Sequence, residues 1–155
     1  MRPRNPELVI GALDMGDTLD FLRLLWELEH GLRSRSKLMR NRIGITGPQR
    51  LVLRVLGRHP DITATELASA LHLHPSTLTG ILQRLHEGGL ILRSSARGDA
   101  RRAVLRLSAK GKELDEVTAG TIEATVRSVL SRLPDTKIAA AREVLSAIAA
   151  ALAPD

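Results

Sequence analysis

The stretch LHLHPSTLTGILQRLHEGGLI, Leu71 to Ile91, has a residue pattern that indicates the fold of the chain. Apolar residues recur at helical spacing from Leu78 to Leu85, after a proline and before a Gly-Gly pair, which predicts a helix over residues 75–87. The other side of this helix carries small hydroxyl and amide side chains in place of the Ala and Leu expected of a helix built only for packing. We therefore expect one edge of the helix to contact a partner.

Two short helices are predicted before this one. The segment TGPQRLVLRVLGRHP begins with Thr46 and Gln49 in capping-box spacing, and TATELASALHL repeats that spacing with Thr63 and Glu66. The second of these helices is separated from helix 75–87 only by a tight turn. Two short helices joined so closely form a helix-turn-helix.

A β-hairpin with an arginine-rich tip is predicted after the Gly-Gly pair. The segments LILRS and RRAVLRLS read as strands, and the polar segment SARGDA between them reads as a turn. Alternation along the second strand assigns its two faces: Ala103, Leu105 and Leu107 point to one side, and Arg102, Val104 and Arg106 to the other. The fold class is therefore mainly α with a small β-hairpin, a winged helix-turn-helix with extra helices at both ends.

The extra helices carry wide apolar stripes. We expect a helix from Asp17 to the basic run RSRSKLMRNR, a long helix capped by Ser108 and reaching about Arg132, and a last helix that starts at Pro134. A winged helix offers too little core to bury these stripes, which favours a dimer interface formed by residues of about 8–40 and 114–152. Packing of the two chain ends on each other is the alternative.

These elements predict three regions. Residues 1–42 form an N-terminal arm and a dimerisation helix, residues 43–107 the winged helix-turn-helix, and residues 108–155 the C-terminal dimerisation helices. We find no internal repeat and no low-complexity linker between them.

The composition favours duplex DNA as the partner. The net charge is +6, and residues 47–111 alone hold ten Lys and Arg against four Asp and Glu. One Phe, one Trp and no Tyr cannot build the stacking platform of most single-strand binders. The absence of cysteine removes disulfides, thiolate metal sites and thiol-based redox sensing. With no membrane-length apolar run and no signal-peptide core, we expect a cytoplasmic protein without contact to a membrane.

Metal binding and catalysis are poorly supported by the residues. His72 and His74 supply two ligands at most, no further pair has ligand spacing, and transition-metal sites usually need three or four ligands. Ser76 beside His74 is no catalytic triad, and the chain has no phosphate-binding loop. We expect no metal, no cofactor and no enzymatic activity.

The combined motifs resemble the MarR family of bacterial transcription regulators over roughly residues 17–152. The similarity rests on LTG with QRLHEGGLI, on the D-x-R motif Asp99-Ala100-Arg101, and on the helix start Leu107-Ser108-Ala109-Lys110-Gly111. The resemblance implies that Asp99 pairs with an arginine to brace the wing and that Arg101 reaches the minor groove. A narrow minor groove has a negative potential that favours an inserted guanidinium.

The candidate DNA-binding residues lie on helix 75–87 and in the wing. They are Pro75, Ser76, Thr77, Thr79, Gln83, Arg84, Arg93, Arg97, Asp99, Arg101 and Arg102. The chain departs from the family at Gly80, where members often carry an arginine. Three plainer interpretations stay open: Ser76 and Thr77 only cap the helix, Arg84 forms an internal salt bridge, and the arginine-rich turn is only solvated.

The resemblance implies a homodimer that binds a pseudo-palindromic operator, with repression as the default mechanism. It also implies a small aromatic or anionic effector that releases the protein from DNA, for which Trp26, His30, Arg50 and Arg54 are the candidate residues. The alternative function is a structural or RNA-binding winged-helix protein without an operator. The sequence does not identify the operator, the regulated genes or the effector.

Overall fold

A computed structural model describes residues 16–96 and 98–153, without the side chains of residues 99 and 100. It is mostly helical with one antiparallel hairpin, as the sequence predicts. The elements in chain order are α1 (Gly16–Ile43), α2 (Gly47–Arg58), α3 (Ala64–Leu71), α4 (Pro75–Glu87), β1 (Ile91–Ala96), β2 (Asp99–Leu107), α5 (Ala109–Glu116), α6 (Ile122–Leu130) and α7 (Asp135–Leu152). The part of the chain from α2 to β2 is the winged helix-turn-helix.

One hydrophobic core holds α2, α3, α4 and the hairpin together. Leu53, Leu67, Leu82 and Leu85 are fully buried in this cluster, and Ile91 at the start of β1 joins them. The tight turn between α3 and α4 begins at His72, which has a left-handed φ of 50°. This core fixes the position of α4 relative to the wing.

The predicted capping boxes are confirmed at α2 and α3. Thr46 accepts a hydrogen bond from the backbone N–H of Gln49, and the Gln49 side chain accepts one from the backbone of Thr46. Thr63 and Glu66 make the same reciprocal pair at α3. These bonds satisfy backbone donors that the first turn of a helix leaves unpaired.

Burial along β2 does not follow its two alternating sides. Val104, on the side of Arg102 and Arg106, is 1% exposed, whereas Ala103, on the side of Leu105 and Leu107, is exposed. Val104 and Leu105 are both buried and point to opposite sides of the strand, so both faces are covered at this level. Ile62 also bridges to Leu105 on the edge away from β1. Alternation in one strand cannot reveal coverage by distant parts of the chain.

The long helix predicted from Ser108 to about Arg132 is wrong, because it is two helices. α5 ends at Glu116, and α6 begins at Ile122 with Thr121 as its N-cap, where Thr121 accepts from the N–H of Ala124 at 3.3 Å. Gly120 in the connection has a φ of 75°, which suits glycine because it has no Cβ. The sequence VTAGT therefore contained a helix stop and a new cap.

The helices at the two ends leave much apolar surface exposed. In the described part of the chain, all the exposed large hydrophobic residues except Leu51 and Leu92 lie on α1, α6, α7 or the turn between the last two. α6 and α7 contain no buried residue, and α1 buries only Met39. A single chain thus does not cover the stripes that the sequence shows.

Gly111 docks α5 against the turn that precedes β1. Its N–H donates to Ser108 Oγ at 3.0 Å, and Ser108 in turn donates to the carbonyl groups of Gly89 and Leu90. A Cβ at Gly111 would overlap the carbonyl oxygen of Leu90. The Ser-x-x-Gly spacing therefore combines a helix cap with a close backbone approach.

We predict that Gly111→Ala lowers the free energy of unfolding by about 1–3 kcal/mol, because the added methyl group overpacks a buried contact. The matched control is Gly80→Ala in α4, where a Cβ would meet nothing within 4 Å. That variant should gain about 0.5–1 kcal/mol from helix propensity alone. Chemical denaturation of both variants checks this, and equal effects would contradict the close approach at Leu90.

Candidate nucleic-acid interface

α4 has one buried and one exposed face. Leu78, Ile81, Leu82 and Leu85 are buried in the core, and the exposed side presents polar residues. The predicted contacts on this side are all exposed: Pro75, Ser76, Thr77, Thr79, Gln83 and Arg84. Arg84 forms no ion pair with any residue that the structure describes, so the internal salt bridge is not seen.

The N-cap of α4 is His74, and not Ser76 or Thr77 as one interpretation had it. His74 Nδ1 accepts from the backbone N–H of Ser76 at 3.3 Å and lies 2.7 Å from Ser76 Oγ. Thr79 Oγ1 donates to the carbonyl of Pro75 at 2.8 Å. With its proton committed inside the helix, the Thr79 hydroxyl keeps only its acceptor capacity for a partner.

Gln83 is oriented by a residue that the sequence analysis did not select. Its Nε2 donates to Glu87 Oε1 at 2.9 Å across one helical turn. This bond turns one amide N–H toward the end of the helix and leaves the second N–H and the amide oxygen for other partners. The four-residue spacing of Gln83 and Glu87 was the available signal.

A cleft joins α4 to the first strand of the wing. Thr79, Gln83, His86 and Arg93 line this space of about 320 Å³. The structure thus brings together three predicted contacts and adds His86. The cleft has hydroxyl, amide and guanidinium groups on one surface, which are the groups that proteins direct at phosphates and base edges.

Two ion pairs tie β2 to the helix-turn-helix. Arg102 Nη2 lies 2.5 Å from Glu66 Oε1, and Arg106 Nη2 donates to Asp61 Oδ2 at 2.7 Å. Hydrogen bonds from Thr63, followed by the charge of Arg102, lower the pKa of the Glu66 carboxyl group. Both pairs are about half exposed, so their energies are small, yet they restrain the wing relative to α3.

Arg102 therefore has a partner inside the protein, which the prediction of a DNA contact did not include. Arg101 is exposed on β2 beside it. Arg97 lies outside the described residues, and the side chain of Asp99 is not described, so the bracing pair that the resemblance implies at Asp99 stays a prediction.

Arg50 is the most completely bonded charged group in the described structure. Its side chain is buried, and Nε donates to Glu123 Oε1 at 2.6 Å. Nη1 and Nη2 donate to the backbone carbonyls of Leu114, Asp115 and Val117 at 2.6, 3.2 and 2.6 Å. These carbonyls lie where α5 ends, so Arg50 closes the last turn of that helix and holds the start of α6 at the same time.

Arg54 supports the same junction. Its Nη1 donates to the Asp115 carboxylate at 2.9 Å and to the Asp115 carbonyl at 3.0 Å. We call Arg50, Arg54, Asp115 and Glu123 the Arg50 cluster.

Arg50 and Arg54 are predicted from the sequence to bind an effector, but in the structure both hold the junction between α5 and α6. The physical reason is that burial and four hydrogen bonds inside the chain occupy the Arg50 guanidinium. Trp26 and His30, the other two candidates, lie exposed on α1.

Metal-ligand clusters and membrane-spanning helices are both absent from the part of the chain that the structure describes. No group of three or more His, Cys, Asp and Glu side chains is arranged to hold a metal ion. No helix is long and apolar enough to cross a membrane.

We predict that Arg50→Met lowers the free energy of unfolding by about 3 kcal/mol, because it leaves the Glu123 carboxylate and the α5 carbonyls without their donor. The control is Arg33→Met, which removes an exposed pair with Glu29 and should cost less than about 0.5 kcal/mol. Thermal and denaturant unfolding of the two variants measures the difference. An Arg50→Met protein as stable as the control would show that the cluster is dispensable.

Known proteins similar to this chain are transcription regulators. A sequence model described as MarR family matches residues 43–102, which run from the end of α1 into the wing. The HTH-type transcriptional repressor MdtR of Bacillus subtilis is 30% identical over 72% of this chain and 72% of its own length. The organic hydroperoxide resistance transcriptional regulator of the same organism is 31% identical over 60% of this chain and 63% of its own.

Solved structures agree with this fold. The MepR–DNA complex of S. aureus matches 86% of this chain and 98% of that chain with a TM-score of 0.70 at 21% identity. CouR from Rhodococcus jostii RHA1, bound to p-coumaroyl-CoA, matches 91% of this chain and 99% of that chain with a TM-score of 0.71 at 20% identity. On its motifs, its winged helix-turn-helix and these similarities, the chain belongs to the MarR family of transcription regulators.

Proposed function

We propose that this protein is a homodimeric transcription repressor that binds a pseudo-palindromic operator. α4 enters the major groove and the wing reaches the adjacent minor groove. The observation that carries this proposal is the continuous polar surface formed by the exposed face of α4, the cleft with Arg93 and the arginines of β2. Operator binding also implies a location in the bacterial cytoplasm, as expected from the sequence.

Charge supports duplex DNA as the partner. The basic excess of the chain lies in residues 47–111, which include α4 and the wing. Phosphate contacts fix the position of a protein on the duplex, and base-edge contacts supply the sequence preference. Arg93 is suited to the first task by its charge, and Gln83 to the second because an amide pairs with adenine in the major groove.

The exposed apolar surfaces of α1, α6 and α7 support a homodimer. The end of α6, the turn after it and one side of α7 form a groove of about 410 Å³, which is lined by residues such as Leu133, Ile138 and Leu145. Exposed apolar surface of this extent is typical of an interface. A two-fold dimer places its recognition helices about one helical turn of DNA apart, which is the geometry that reads a palindrome.

A small aromatic or anionic effector is proposed to release the protein from its operator. The structural neighbour CouR was solved with an aromatic acyl-CoA, which supports ligand control within this fold. Trp26 and His30 are the candidate contacts that lie exposed on α1, whereas Arg50 and Arg54 form hydrogen bonds within the chain. Release requires that the effector favour a DNA-incompetent arrangement of the dimer.

The alternative is a structural or RNA-binding winged-helix protein. It would use the same basic surface but would bind duplexes without preferring a palindrome. The scarcity of aromatic side chains disfavours single-stranded RNA. The family membership disfavours a purely structural role.

We predict that Arg101→Ala weakens binding to the operator by about 1–3 kcal/mol while the protein stays folded, since a side chain exposed on the wing adds nothing to the hydrophobic core. Lys112→Ala, on α5, removes an exposed positive charge elsewhere and serves as the control. Fluorescence anisotropy on a labelled duplex measures both. Normal affinity in the Arg101 variant would refute the minor-groove assignment.

We further predict that Gln83→Ala changes the base preference of the protein, whereas Arg93→Ala changes its general affinity for DNA. Gln83→Ala should relax the preference at one base pair of each half-site with little loss of affinity. Arg93→Ala should weaken all duplexes alike and reduce the slope of log K against log salt concentration by about 1. Titrations on matched and scrambled duplexes at several salt concentrations separate the two. Unchanged base preference in the Gln83 variant would move readout to other residues or to DNA shape.

A further inference from the structure

Gly80 lies in the interior of α4, where glycine does not serve the fold. It is the sixth residue of this 13-residue helix. Its φ is not in the left-handed region, where the chain uses Gly44, Gly89 and Gly120. Glycine in a helix interior lowers stability relative to alanine, because it loses more backbone freedom on folding.

Packing does not require glycine at this position either. A Cβ at Gly80 would meet no atom of the rest of the protein within 4 Å. Gly57 and Gly111 differ in this respect, since a Cβ at Gly57 would meet Asp115 and one at Gly111 would meet Leu90, whereas Gly31 on the exposed apolar helix α1 is open like Gly80. The structure thus gives no internal reason for the missing side chain.

Gly80 occupies the middle of the exposed face of α4. Ser76 lies four residues before it and Gln83 three residues after it, which puts all three on one side of the helix. Leu78 and Leu82 point the opposite way into the core. Between an exposed serine and an exposed glutamine, Gly80 is half-buried and contributes no side chain to the face that we assign to DNA.

We propose that Gly80 is a specificity-determining residue, because it lets the backbone of α4 approach the base edges on the floor of the major groove. This inference rests on the proposed function. A side chain at this position would stand between the helix and the bases, and would hold the neighbouring readers away from them. Gly80 therefore lowers the stability of the fold and raises operator affinity.

Two substitutions of increasing size test this proposal. Gly80→Ala should raise Tm by about 2–4 °C, and should still raise the Kd for the tightest-binding duplex about tenfold, with a larger loss for Gly80→Leu. The Kd for a scrambled duplex of the same composition should stay within about twofold, because phosphate contacts dominate non-specific binding. Opposite changes in stability and specific affinity are the expected signature.

Ser69→Ala in α3 is the control for helix propensity. The residue is exposed, lies outside the surfaces proposed for DNA binding and dimerisation, and serine is a poorer helix former than alanine. It should raise Tm and leave the Kd for the operator unchanged. The loss in the Gly80 variants would then come from the position on α4, and not from a stiffer helix as such.

Equal or tighter operator binding by Gly80→Ala overturns the inference. If the wild-type protein prefers one duplex and Arg101→Ala weakens that preference while both Gly80 variants bind normally, only the role of Gly80 fails. If the wild-type protein prefers no duplex over its scrambled counterpart, the proposed function itself fails. The two failures are therefore distinguishable in one set of titrations.

Discussion

The buried guanidinium of Arg50 determines how the two parts of this chain are joined. It extends from α2 inside the winged helix-turn-helix to the carbonyls at the end of α5 and to Glu123 at the start of α6. An arginine suits this position because its planar group donates in several directions at once and stays charged. The break between α5 and α6, and hence the direction in which α6 leaves the DNA-binding unit, depends on these bonds.

Two exposed ion pairs restrain the surface that we propose binds DNA. Asp61 and Glu66 on the helix-turn-helix side hold Arg106 and Arg102 of β2. Each pair is exposed and weak by itself. Together with the shared core under α4 and β1, they limit the relative movement of the recognition helix and the wing. A surface arranged before binding loses less entropy when it meets the duplex, which fits a protein that must recognise one site among many.

Local patterns predicted most of the fold, and the reasons are visible in single residues. Thr46, Thr63 and Ser108 each accept from a backbone N–H three residues away, so their spacing is sufficient to locate three helix starts. The break at residues 117–121 has a local signal in Gly120 and Thr121, which the continuous apolar spacing from Leu114 to Leu130 masked, and an arginine more than sixty residues away stabilises it. The burial of Val104 was not predicted because alternation within one strand does not show what covers either side.

For the candidate site, sequence patterns identified the elements and not the partners of their side chains. The predicted contacts on α4 are exposed and Arg93 lines a cleft beside them, whereas the pairs of Arg102 with Glu66 and of Gln83 with Glu87 were absent from the prediction. Arg50 was assigned to an effector because a single cationic residue on an amphipathic helix shows neither its burial nor its acceptors. Such assignments require the tertiary contacts.

Selection of bound duplexes from a random pool tests whether this protein reads a palindromic operator as a dimer. The experiment requires no known operator. The enriched sequence reports both the spacing of the two recognition helices and their base preference. A two-fold dimer with α4 in the major groove should enrich an inverted repeat whose half-site centres lie about one helical turn, roughly ten base pairs, apart. Enrichment of a single unrepeated motif would contradict the two-fold arrangement. Recovery of no motif would contradict operator recognition itself.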